Sequence, residues 1–177
     1  RWIERDSRET MNAATEFDLG PLTWVKGEID LALARAAEAL GQHELSGDTT
    51  QLRFCRTHVH QVHGALSIVG LDGVTQVTES LEALLSTLEE RRLQLTAEIS
   101  ATLTQAMAAL GKYLDDLVAG EPNQPLRLLP AYQALAAARG QGACSPADLF
   151  YPDLSLRPAK RSVPVAPLSA DQLHTLL

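Results

Sequence analysis

The sequence predicts an all-α protein, an up-and-down antiparallel bundle of helices. Apolar residues recur at intervals of three and four over most of the chain, which is the spacing of one helix face. No stretch alternates apolar and polar residues for long enough to predict a sheet. The connections between the periodic stretches are short, which favours antiparallel neighbours. The 177 residues, 45% of them hydrophobic, are enough to bury the core of one such domain.

The first predicted helix begins at about Leu19 and ends at Gly41. Pro21 suits the first turn, and glycine is common just after the last turn of a helix. Residues 42–48 are predicted to form a connector. The apolar positions follow helical spacing and are Leu22, Val25, Ile29, Leu33, Ala36 and Leu40.

Three more long helices follow. The second is predicted to run from about Thr49 to Val69, before Gly70, and its apolar residues form one narrow stripe. The third ends in the charged run 89–92, and the fourth stops near Gly120. The stripe of the second helix consists of Leu52, Cys55, Val59, Val62, Leu66 and Val69. The apolar positions of the third are Val74, Val77, Leu81, Leu84 or Leu85, and Leu88. Those of the fourth are Leu95, Ile99, Leu103, Ala106, Leu110, Leu114 and Leu117.

A shorter fifth helix follows Pro122 and Pro125 and ends at about Arg139, and it begins or bends at Pro130. The predicted bundle therefore spans residues 19–140 and has four main helices with an extra C-terminal one. Residues 1–18 are predicted to be a leader that is disordered or foreign to the natural protein. Residues 141–177 are predicted to be a proline-rich linker that leads to a further, truncated domain.

Composition and charge exclude several classes of function. The net charge of −7 argues against nucleic-acid binding, which usually needs a basic face. Two cysteines are too few for a disulfide scaffold, and no apolar run has the roughly 18–20 residues of a membrane-spanning helix. Neither a signal peptide nor a glycine-rich nucleotide loop is present. We therefore expect a cytoplasmic protein with no direct membrane insertion and no bound cofactor.

The second helix carries three of the five histidines, His58, His60 and His63. At about 100° per residue, His60 lies roughly 130° from the centre of the apolar stripe and is predicted to face solvent. His58 and His63 border the stripe on opposite sides. Gly64 faces outward one turn beyond His60, where glycine costs about 0.5–1 kcal/mol relative to alanine. We interpret this glycine as allowing close approach to His60.

A neutral imidazole is a nucleophile near neutral pH. Phosphoryl transfer to it needs an in-line approach and nearby cations that offset the charge on the phosphoryl oxygens. Arg56, one turn before His60, and His63 are candidates for that charge or for a hydrogen bond. Ser67 falls on the same outer side. With Arg53, these residues predict a locally basic face on an acidic protein.

The run His60-Gln-Val-His63-Gly64, with Gly70 ten residues after His60 and Leu81-Glu82 on the next helix, resembles the histidine-containing phosphotransfer (HPt) domain. The pattern of that family is His-x-x-Lys-Gly on a surface helix of a four-helix bundle. The resemblance implies that His60 is the phosphoacceptor and that His63 replaces the family lysine. It also implies receiver domains and a histidine kinase core as partners, with ATP and magnesium on the kinase core of the parent chain.

A wider resemblance is to the N-terminal region of chemotaxis-type hybrid histidine kinases of the ChpA/PilL kind. It implies a part in the control of type IV pili and twitching motility, and a place at the cell pole. The stand-alone pilus regulator FimL is similar to the same region but lacks the phosphorylatable histidine. The similar runs are Leu22-Thr-Trp-Val-Lys-Gly-Glu-Ile29, Leu52-Arg-Phe-Cys55, Val59-His-Gln-Val62, Leu135-Ala-Ala-Ala-Arg-Gly140, Leu149-Phe150 and Pro152-Asp-Leu-Ser155.

Other interpretations of the histidines stay open. His60 is an ordinary exposed side chain in one of them, and the domain is then a degenerate scaffold that docks or localises partners. A metal site is disfavoured, because His58 and His60 lie about 200° apart around the helix. His60 and His63 also lack a carboxylate at matching spacing on their face.

Simple structural roles are expected for the remaining notable residues. We expect Cys55 to be a core thiol and Trp24 to anchor packing. The acidic pairs 89–90 and 115–116 are expected to be solvated helix ends.

Overall fold

The computed structural model describes residues 19–142 and 144–150, and within them the protein is entirely helical. The α-helices of this described part are α1 (Leu19–Ser46), α2 (Thr49–Val69), α3 (Asp72–Glu89), α4 (Ala97–Val118) and α5 (Leu129–Ala138). Two 3₁₀ helices, Pro125–Leu128 and Pro146–Leu149, accompany them. The predicted all-α fold class is confirmed. The predicted leader and residues 151–177 of the predicted linker lie outside the described residues.

The helices enclose one core in which leucine dominates. Helix α1 packs mainly against α2 and also against α4, while α2 packs against α3. Helix α5 contacts both α3 and α4, which touch each other only sparsely. The extra C-terminal helix thus fills the seam between them. No described helix has the length and apolar character that a membrane crossing requires.

The predicted end of the first helix at Gly41 is wrong, because α1 continues to Ser46. Gly47 is the residue that adopts the left-handed conformation, with φ of 67°. Its backbone N–H donates to the His43 carbonyl at 2.7 Å. A Cβ at Gly41 would meet no atom within 4 Å. Gly41 is therefore an interior helix residue, and most of the predicted connector is helical.

Helix α2 runs from Thr49 to Val69, as predicted. The Asp48 side chain caps the first turn by accepting from the Thr50 backbone N–H at 2.8 Å. Gly70, with φ of 79°, ends the helix in the left-handed conformation. Cys55 is buried in the core as predicted, and burial raises the pKa of its thiol to about 12. Capping at both ends fixes the helix that carries the histidines.

The prediction that Trp24 anchors packing is wrong, because its side chain is 89% exposed. Trp24 follows the buried Leu22 by two positions, which is about 200° around the helix. It therefore lies on the outer side of α1.

The acidic pair near the end of α4 is not simply solvated. Asp115 pairs with Lys26 at 2.6 Å and so links α4 to α1. Asp116 pairs with Lys112 at 3.0 Å and with Arg127. The Lys26–Asp115 pair joins two helices that are distant in sequence, which the local pattern does not show.

Gly73, at the start of α3, lies where two later segments approach the bundle. A Cβ there would lie 2.7 Å from the Leu149 carbonyl oxygen and 2.7 Å from ring atoms of Pro125. Leu149 is fully buried and belongs to the core cluster. The backbone of α3 thus contacts both 3₁₀ helices directly.

Gly73→Ala is expected to lower the free energy of unfolding by about 1–3 kcal/mol, because the added methyl group overlaps backbone and a proline ring. Chemical denaturation measures this loss. Gly41→Ala is the matched control, and we expect it to raise stability by up to about 1 kcal/mol, since Gly41 has open space inside a helix. Equal effects of the two substitutions would contradict this account of Gly73.

Candidate functional site

His60 lies in the middle of α2 with its side chain 71% exposed. Its Nδ1 atom is 3.2 Å from each carboxylate oxygen of Glu82 on α3. A carboxylate only accepts hydrogen bonds, so Nδ1 is the donor and carries the proton. In the neutral ring the other nitrogen, Nε2, then keeps its lone pair. The geometry therefore leaves Nε2 of His60 as the nucleophilic atom.

His63 makes a parallel contact one turn further along α2. Its Nδ1 lies 3.0 Å from Oγ1 of Thr78, and Thr78 precedes Glu82 by four residues on α3. The two imidazole rings are stacked, with centroids 6.2 Å apart and planes 16° from parallel. Both rings are thus tied to α3 through Nδ1. Two neighbouring positions on one face of α3 orient them.

Gly64 leaves the surface beyond His60 bare. A Cβ at this position would meet no atom within 4 Å, so packing in the described bundle does not require a glycine. Its role in close approach stays a prediction. The exposed Ile68 lies one turn further along α2, eight residues after His60.

The prediction of a locally basic face around His60 is wrong, because acidic side chains of α3 offset its arginines. Nε of Arg53 and Nε of Arg56 lie 2.9 Å and 2.8 Å from the two carboxylate oxygens of Glu89. The Glu89 side chain is only 17% exposed, so it is not a solvated helix end. The hydrogen bond from Arg53, together with that from Arg56, holds the pKa of Glu89 below its usual value. The charge of Arg56 is therefore engaged by Glu89, and Glu82 adds a negative charge beside His60.

The other predicted side chains lie apart from this arrangement. The Ser67 hydroxyl donates to the His63 carbonyl at 2.9 Å, which is a contact within α2. Nδ1 of His58 lies 3.1 Å from Oε1 of Gln61, and His58 borders the groove between α1 and α2. Among residues 19–142 and 144–150, no group of three or more histidine, cysteine or acidic side chains is placed to hold a metal ion.

Sequence reasoning missed the partners on α3. Glu82 was part of the motif, but its bond to His60 was not predicted, and Thr78 was not singled out. Thr78 comes directly after the buried Val77, and Glu82 comes directly after the buried Leu81. Polar residues that border a stripe at an i,i+4 spacing are the signal that could have placed them beside α2.

Comparison with known proteins adds one positive finding. The family model of the Hpt domain matches residues 22–113, which is more than half of the chain. The matched part includes α2, α3 and both stacked histidines. Neither the curated proteins nor the solved structures compared with the chain gave a match.

Glu89→Gln is expected to lower the free energy of unfolding by at most about 1 kcal/mol near neutral pH, because solvent screens these ion pairs. Since folding lowers the pKa of Glu89, its contribution is present above the unfolded pKa and is lost as pH falls through the folded value. The difference from the unsubstituted protein should therefore shrink as pH falls to about 3.

Urea unfolding at several pH values measures this difference. Glu28→Gln, on the exposed side of α1, is the control and should show little dependence on pH. A Glu89→Gln effect that stays constant down to about pH 3 would contradict the assigned ion pairs.

Proposed function

The chain belongs to the Hpt domain family, and on that basis we propose that it serves two-component signalling by accepting a phosphoryl group on His60 and passing it on. The observation that carries this proposal is the exposed imidazole whose Nδ1 is held by Glu82. That contact orients the ring and leaves Nε2 toward solvent. A phosphoryl donor can approach this atom over the bare backbone of Gly64.

The proposed step is an in-line displacement at phosphorus. The lone pair of His60 Nε2 forms the new N–P bond while the P–O bond to the donor breaks. The electron pair of the broken bond leaves on the donor oxygen. The proton on Nδ1 stays in place, and the Glu82 carboxylate stabilises the positive charge that the ring acquires.

The proposed partners are a histidine kinase core and response-regulator receiver domains. ATP and magnesium would be bound by the kinase core of the parent chain, and the domain itself would need no cofactor. The receiver would offer a phosphorylated aspartate or accept the group from His60. The exposed Ile68 lies two turns beyond His60 on α2 and would offer apolar area to such a protein partner.

A narrower proposal concerns the cellular role. The similar runs in α1, α2 and α5 support a place in the N-terminal region of a chemotaxis-type hybrid histidine kinase of the ChpA/PilL kind. The domain would then act in the cytoplasm, at the cell pole, in the control of type IV pili and twitching motility. The parent chain would be a transferase, while this domain would be its phosphoacceptor.

A specific observation favours a second candidate, a scaffold that docks or localises partners without phosphorylation. The family lysine is replaced by His63, and the nearby Arg56 is bound to Glu89. Both arginines of the predicted basic face, Arg53 and Arg56, are therefore already paired and not free to face a phosphoryl group. A scaffold would not need a free cation.

His60→Gln is expected to abolish acid-labile phosphate incorporation, because it removes the nucleophilic nitrogen. Potassium phosphoramidate serves as the small-molecule donor, and mass spectrometry locates the phosphate. His58→Gln is the matched control, since His58 lies on the same helix but does not contact Glu82. Equal labelling of His60→Gln and the unsubstituted protein would refute the phosphoacceptor role. In cells, unchanged twitching motility of the His60→Gln variant would support the scaffold role.

Glu82→Gln is expected to slow phosphorylation of His60 by about 10-fold, since a charge-assisted hydrogen bond to the ring is lost. The rate of phosphoramidate incorporation measures the effect. Glu79→Gln is the control one turn earlier on α3, because within the described residues the histidines bond to Glu82 and Thr78 and not to this exposed carboxylate. Equal rates for both variants would contradict the role of Glu82.

A further inference from the structure

A short chain of hydrogen bonds connects His63 to the backbone of α3. Oγ1 of Thr78 lies 2.7 Å from the Thr75 carbonyl oxygen and 3.0 Å from Nδ1 of His63. Thr78 is fully buried, so water does not compete for its hydroxyl group. The contact therefore lies inside the α2–α3 interface.

The positions of the protons in this chain follow from counting donors. A carbonyl oxygen only accepts, so the single hydroxyl proton of Thr78 is donated to Thr75. The Thr78 oxygen is then an acceptor toward His63. Nδ1 of His63 must be the donor and must carry a proton in both charge states of the ring. Nε2 is therefore the nitrogen of His63 that this chain of hydrogen bonds leaves without a partner on α3.

The stacking places Nε2 of His63 beside the proposed phosphoacceptor. Both rings bond to α3 through Nδ1 and lie 16° from parallel, so both Nε2 atoms lie on the ring edge away from those contacts. A phosphoryl group on Nε2 of His60 would have the Nε2 edge of His63 as its neighbour. The ring centroids are 6.2 Å apart, so the two rings are near neighbours on α2.

Charged and titratable groups of three helices in the described bundle bear on the region of His63. On α2 the neighbour is His60, and on α3 it is Glu82, one turn beyond Thr78. On α1 the groups that approach α2 are Arg35 and Glu38, which line the groove with His58 at the opposite border. A negative phosphoryl group on His60 would attract positive charge on the stacked ring of His63.

We propose that Thr78 is a positioning residue for phosphotransfer. It holds His63 as the Nδ1–H tautomer and accepts the buried hydrogen bond that the cationic ring also needs. His63 can then carry a second proton on Nε2. The cationic ring would donate a charge-assisted hydrogen bond from Nε2 to a phosphoryl oxygen on His60. This inference rests on the proposed phosphoacceptor role of His60, and it explains how a histidine can serve where the family has a lysine.

Thr78→Val tests the inference, because valine has nearly the shape of threonine but cannot accept from Nδ1. Long-range ¹H–¹⁵N NMR spectra should show His63 as the Nδ1–H tautomer in the unsubstituted protein and as the Nε2–H tautomer in Thr78→Val. Phosphorylation of His60 by phosphoramidate should slow by about 3- to 10-fold in the variant. Thr78→Ser, which keeps the hydroxyl group, should preserve both the tautomer and the rate.

The outcomes separate this inference from the proposed function. An Nε2–H tautomer of His63 in the unsubstituted protein would overturn the inference, and so would an unchanged rate in Thr78→Val. Phosphate that fails to appear on His60 of the unsubstituted protein would instead overturn the phosphoacceptor role. The tautomer spectra would still decide the hydrogen-bond chain in that case.

Discussion

The site depends on the register of α2 against α3. His60 and His63 reach α3 through Nδ1, and the matching acceptors, Glu82 and Thr78, stand one turn apart. A shift of either helix by one residue would separate both pairs, since one residue rotates a helix face by about 100°. The buried apolar stripes of the two helices therefore do more than stabilise the fold. They determine which nitrogen of each ring bonds to α3.

The charge around the histidines differs from the charge predicted from α2 alone, because α3 adds acidic side chains. The two arginines that follow the outer side of α2 bind Glu89 at the end of α3, and the carboxylate of Glu82 faces His60. These pairs help to hold α2 against α3, and they engage both arginines with Glu89. A phosphoryl donor would have to bring other positive charge with it, as a magnesium-bound nucleotide does.

The sequence was sufficient for the parts of the fold that depend on local periodicity. It predicted the bounds of α2, the stripe that contains Cys55 and Val59, and the exposure of His60, because each follows from helical spacing. It misplaced the end of α1, because a mid-helix glycine costs only about 1 kcal/mol and packing against α2 outweighs that cost. The position of Thr78 beside the stripe of α3 could have placed it near α2, but its partner and that of Glu89 were not accessible. The pattern of one helix does not reveal which residues of another helix face it.

The central claim is that Glu82 holds Nδ1 of His60 and leaves Nε2 as the atom that takes the phosphoryl group. The most direct measurement is the position of phosphate on the ring, read from ¹H–¹⁵N and ³¹P NMR spectra of the phosphorylated protein. The account predicts phosphate bonded to Nε2 of His60, with a proton retained on Nδ1. Phosphate on Nδ1 of His60, or on another histidine, would contradict it.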